Sequence, residues 1–104
     1  MAGPNNHARR YTVHVSGVIA AKLRQILRRA KREGRGDRVL TAITQVQDRL
    51  KRDPQHLGEP LYRLSALRLD VRTSIIRPLV VDFAVQEENA LVFIKGVRLL
   101  TELA

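Results

Sequence analysis

The stretch Leu67-Arg68-Leu69-Asp70-Val71-Arg72-Thr73-Ser74 decides the fold. Its apolar and polar residues alternate, which is the period-2 pattern of a strand with one apolar and one charged face. Upstream of it, apolar residues recur at helical spacing instead. The change of period therefore divides the chain into a helical part and a sheet part.

Working downstream, Arg77-Pro78 reads as a turn or an edge kink, because Pro cannot donate to a ladder. Leu79–Val85 is a near-continuous apolar run interrupted by Asp82, as suits a central strand. Gln86-Glu87-Glu88-Asn89 is a polar hairpin turn, Ala90–Val97 the last strand, and Arg98–Ala104 a short tail. Three strands on short connections form an antiparallel meander. Leu61 and Leu64 lead into it from a loop over Gln55–Pro60.

Working upstream, Asp53-Pro54 ends a helix that starts at Asp37, because the residue before Pro is driven out of the α region. Val39, Ile43, Val46 and Leu50 form its core stripe, and Leu40 widens it. Gly34-Arg35-Gly36 separates it from an earlier helix over Val18–Glu33, whose stripe is Ile19, Leu23, Ile26, Leu27 and Ala30. So short a linker makes the two helices an antiparallel hairpin. Ser16 is placed to cap the first helix. Arg10–Val15 alternates as a short strand that adds to one sheet edge, and residues 1–9 form a polar tail. The order is β-α-α-β-β-β: an α+β domain over residues 10–104, with a helical hairpin on one face of an antiparallel sheet.

The chain has 104 residues, 19 Lys plus Arg, 10 Asp plus Glu and no Cys. One core is what this length supports. The lack of Cys excludes disulfides, thiolate metal sites and thiol nucleophiles. His7, His14 and His56 lack metal-ligand spacing, so neither metal nor other cofactor is expected. No apolar run approaches the roughly 20 residues that cross a bilayer, and no secretory signal is visible, which points to the cytoplasm. The charge is lopsided: residues 1–53 carry 13 basic and 4 acidic side chains, whereas residues 54–104 carry 6 of each. The whole +9 excess thus belongs to the first half. Like charges with few compensating acids repel one another, which favours an acidic partner surface over a merely solvated face. Lys22, Arg24, Arg28, Arg29, Lys31, Arg32 and Arg35 are the candidate contacts to nucleic acid or such a partner. An aromatic content of 4% argues against single-strand base stacking as the main binding mode.

This order of elements in about a hundred basic residues resembles the RelE/ParE superfamily, the toxins of type II toxin–antitoxin systems. The local features are the helix end at Asp53-Pro54, the segment Leu61-Tyr62-Arg63-Leu64 with the strand after it, Pro78–Val85 with Glu87-Glu88, and Leu91–Arg98. The resemblance spans roughly residues 10–100. It implies a small cytoplasmic toxin neutralised by an antitoxin whose acidic tail wraps it. Such a toxin cleaves messenger RNA on the ribosome or, in ParE-like members, inhibits DNA gyrase without nuclease activity. No membrane partner is implied.

By position, the resemblance makes Arg68 and Arg72 the cations of the first meander strand, Arg77 the nearest match to a cation of the next, and Arg98 the basic residue after the last. Cleavage also needs a group that takes the 2′-hydroxyl proton and one that protonates the leaving oxygen. No Tyr or His follows Arg98, and Arg is a poor proton carrier because it stays charged. Other readings of these residues stand beside this one. Arg68 and Arg72 with Asp70 between them also describe a charge-paired sheet face, and Arg77 an exposed turn. Tyr62 reads as packing, and His14 and His56 as surface residues. The alternatives to a messenger-RNA endonuclease are therefore a non-enzymatic relative acting by protein binding, or a basic RNA- or DNA-binding domain.

Overall fold

Ser16 stops the first strand and starts the first helix. Its side chain accepts a hydrogen bond from the Ile19 backbone N–H at 3.2 Å, satisfying one of the donors that a helix leaves unpaired at its start. The computed structural model describes residues 10–100. Its elements are β1 (Thr12–His14), α1 (Gly17–Arg32), α2 (Gly36–Arg52), β2 (Glu59–Leu64), β3 (Leu69–Ile76), β4 (Leu79–Gln86) and β5 (Leu91–Leu99). The polar tail expected over residues 1–9 lies outside the described residues, as do residues 101–104.

The hairpin α1–α2 packs on one face of a five-stranded sheet of order β1-β5-β4-β3-β2. Ile19, Ile26 and Ala30 of α1, with Val39, Ala42, Val46 and Leu50 of α2, bury against Leu79, Val81, Phe83 and Val85 of β4 and Val92, Val97 and Leu99 of β5. β4 is central and covered on both faces, which is why its sequence is almost continuously apolar. Leu40, read as part of the α2 stripe, is 49% exposed, and Ala42 lies in the core instead.

Four details depart from the sequence reading. Glu59–Leu64 is a strand where a loop and a lead-in were expected, which makes the order β-α-α-β-β-β-β. The sheet is mixed, because β1 runs parallel to β5 while the other pairs are antiparallel. The strand placed from Leu67 starts at Leu69, since Ser65–Leu67 form a single 3₁₀ turn closed by Arg68 at φ +53°. Finally β5 runs through Arg98 to Leu99, so Arg98 is a strand residue and not the start of a tail.

Strand register fixes which side chains share a face. The rows Val92–Val85–Asp70, Ile94–Phe83–Arg72, Val97–Val81–Ser74 and Leu99–Leu79–Ile76 point to the helix side. The opposite parity of β3, namely Leu69, Val71, Thr73 and Ile75, lies on the face without helices. Two extra residues shift the ladders: Leu61 between Pro60 and Tyr62 on β2, and Lys95 between Ile94 and Gly96 on β5. Among the described residues no helix is long and apolar enough to cross a membrane.

Candidate nucleic-acid interface

The four arginines that the resemblance assigned to chemistry do not converge. Arg68 precedes β3 and forms an ion pair with Glu88 in the β4–β5 turn. Arg77 occupies the β3–β4 turn, beside Asp37, Arg38 and Gln45 of α2. The eight residues of β3 separate the two, roughly 25–30 Å at ~3.3 Å per residue. Arg72 lies on the helix side, opposite Phe83. Its Nε donates to the Leu57 carbonyl at 2.9 Å and its Nη2 to the Gly58 carbonyl at 3.0 Å. Those contacts tie the loop after α2 to the sheet. Arg98 alone stands on the open face, 3.4 Å from Asp82.

The register brings other residues to that open face. One row crosses all five strands: His14 of β1, Phe93 of β5, Ala84 of β4, Val71 of β3 and Tyr62 of β2. Its ends carry rings and its middle small aliphatic groups. The His14 and Phe93 rings stack at 5.1 Å between centroids with 18° between planes. The Lys95 ammonium donates to the Tyr62 hydroxyl at 3.2 Å and lies 5.8 Å from the Tyr62 ring centroid. Lys95 belongs to β5 and Tyr62 to β2, so the two side chains meet over the strands between them. This accounts for Val71 and Ala84 being only 2% and 3% exposed on a face no helix covers. The adjoining rows supply Gly96, Asp82, Thr73 and Glu59, then Arg98, Val80 and Ile75.

The hairpin cations fall into two groups. Arg29 and Arg35 both pair with Glu33. The Arg35 guanidinium, and after it Arg29, holds the Glu33 carboxyl below the usual carboxylate range. Lys22, Arg24, Arg28, Lys31 and Arg32 are exposed, and no ion pair joins any of them to an acid among the described residues. Arg24, Arg28 and Arg32 recur every four residues, so they form one row on α1 directed away from the core stripe. The sheet thus separates two polar surfaces, a basic helical one and a ringed one.

The sequence reading put Tyr62 in an apolar context and His14 simply at the surface. Their assembly with Phe93 and Lys95 depends on strand order and on both bulges, neither of which periodicity encodes. The alternation over residues 69–76 did mark a second, non-core face; nothing local showed what lay across from it. Among the described residues there is no group of three or more His, Asp or Glu side chains able to hold a metal ion. No family model matches the chain, and neither a curated protein nor a solved structure matches it.

Proposed function

We propose that this chain is a cytoplasmic RelE/ParE-like toxin that acts on RNA through the open sheet face. The observation that carries the reading is that this face holds the Lys95 ammonium against the Tyr62 hydroxyl, a cation beside a proton carrier, with Arg98 and His14 elsewhere on the same face. The hairpin-on-sheet architecture is the one the resemblance implies, which supports the reading at the level of fold.

The chemistry such a set suits is transesterification. The 2′-hydroxyl gives up its proton and attacks the neighbouring phosphorus. The bond to the 5′ oxygen breaks, that oxygen takes up a proton, and a 2′,3′-cyclic phosphate remains. Lys95 and Arg98 stabilise the charge that builds on the phosphoryl oxygens. The Tyr62 hydroxyl and the His14 imidazole can each give and take a proton.

Induced expression in a bacterial host tests this. Growth arrest is expected, with ribosome-bound messenger RNA carrying new 5′-hydroxyl ends. Tyr62→Phe and Lys95→Ala should each lower cleavage about 100-fold or more while leaving the fold intact. Arrest with intact messenger RNA would favour the protein-binding alternative, which the scatter of Arg68, Arg72 and Arg77 also suits; inhibition of gyrase supercoiling is then the assay. Normal growth at high expression rejects the toxin reading.

A further inference from the structure

We infer that the cross-sheet row His14–Phe93–Ala84–Val71–Tyr62 is a stacking platform for single-stranded RNA, with one base held on the His14–Phe93 pair and another on Tyr62. The inference rests on the open face being the RNA-facing surface, and it names the strandedness and the residues that read it. Three observations carry it.

First, the chain has four aromatic residues among Phe, Trp and Tyr, and two of them, Tyr62 and Phe93, share this row. The other two, Tyr11 and Phe83, are core residues. A low aromatic content disfavours stacking when rings are dispersed; here half of them occupy one surface. Second, the rings are available. Tyr62 is 50% exposed, and His14 is exposed with its ring already parallel to Phe93. A flat imidazole lying on a phenyl ring offers its outer side to a further flat ring, because aromatic planes prefer offset stacks to open water. Third, the space between the two ring positions suits a charged backbone. Phe93 and Tyr62 stand three strand spacings apart, about 14 Å. The Lys95 ammonium meets the Tyr62 hydroxyl within that span, and Arg98, paired with Asp82, lies on the same face.

A duplex cannot use this arrangement, because its bases are stacked on each other and their faces are hidden. A single strand can turn successive bases outward onto rings while its phosphates meet the cations. An acidic protein segment could meet Lys95 and Arg98 but would gain nothing from ring planarity.

The test uses the full chain and a fluorescently labelled 12-nucleotide RNA with 2′-O-methyl groups, which binds without being cleaved. Titrations run at one fixed salt concentration against a duplex of the same length. The single strand should bind more tightly than the duplex. His14→Ala and Tyr62→Leu should each weaken it roughly 5- to 100-fold, whereas Tyr62→Phe, which keeps the ring, should bind as the unaltered chain does. Both positions are exposed, and thermal unfolding confirms that each variant is folded. Equal or tighter duplex binding overturns the inference, as does unchanged binding by the two ring-removing variants. Failure of both RNAs to bind while polyglutamate does so overturns it in favour of an acidic protein partner. The two readings fail separately. Ring-dependent binding without growth arrest removes the toxin reading and leaves the platform. Arrest and cleavage, with ring-independent binding, remove the platform and leave the toxin.

Discussion

Gly58 shows how strictly one position can be set by its neighbours. Its φ is +68°, and a Cβ built there would lie 2.0 Å from the Thr73 carbonyl oxygen and 2.7 Å from the Ser74 Cβ. The loop after α2 can approach β3 this closely only without a side chain. Gly34, in the turn between the helices, also has a positive φ of +74°, but nothing lies within 4 Å of its missing Cβ. The two glycines therefore separate backbone strain from collision. Gly34→Ala should cost about 1–2 kcal/mol, the strain of the left-handed region alone. Gly58→Ala adds displacement of the loop from the strand and should cost at least about 1 kcal/mol more. Each kcal/mol corresponds to a fall of ~4–8 °C in Tm for a domain of this size. Thermal unfolding followed by circular dichroism gives the comparison, and equal shifts would show that the close approach to β3 adds nothing.

At the scale of elements, Arg72 acts as a strut between β3 and the loop at residues 57–58. Charged donors on two carbonyls contribute on the order of 1.5–3 kcal/mol each, less where water competes. Arg72→Lys keeps the charge but loses the forked geometry, so both it and Arg72→Ala should lower Tm by several degrees. Any loss of cleavage should follow the unfolded fraction; a lysine variant that keeps full stability would show that the fork is dispensable. The same strand explains what was legible beforehand. The helical hairpin was readable because Ile19, Ile26, Ala30, Val39, Val46 and Leu50 repeat at helical spacing and nearly all of that spacing is core. β4 was readable because burial on both faces leaves a continuous apolar run. β2 was not, because all six of its residues are exposed and no buried face imposes alternation. Gly58 and Pro60 also read as loop. The row proposed to bind RNA was illegible for another reason: its five members come from five strands, and their alignment follows from a parallel edge pairing and two bulges. Local pattern gave each strand its two faces, but only the assembled sheet put His14, Lys95 and Tyr62 on one face.

At the scale of the molecule, the charge excess and the proposed chemistry occupy opposite sides of one sheet. The exposed cations of α1 belong to the helical layer, whereas Lys95, Arg98 and the rings belong to the open face. Phosphate contacts and ring contacts respond differently to salt, so the two surfaces can be told apart in solution. Each phosphate neutralised by a cation releases counterions and contributes about 0.7 to the log–log slope of affinity against salt for a single strand and about 0.9 for a duplex. Replacing Arg24, Arg28 and Arg32 together by Gln should reduce that slope by roughly 2 to 3 if the α1 row tracks a phosphate backbone. Tyr62→Leu should instead lower affinity by a similar factor at every salt concentration and leave the slope unchanged, because stacking displaces no counterion. Exposed arginine-to-glutamine changes on a helix surface disturb the fold little, typically within ~0.5 kcal/mol, so the comparison is between folded proteins. An unaltered slope in the triple variant would mean that the α1 row is a solvated face, and that the RNA is held by the open sheet face alone.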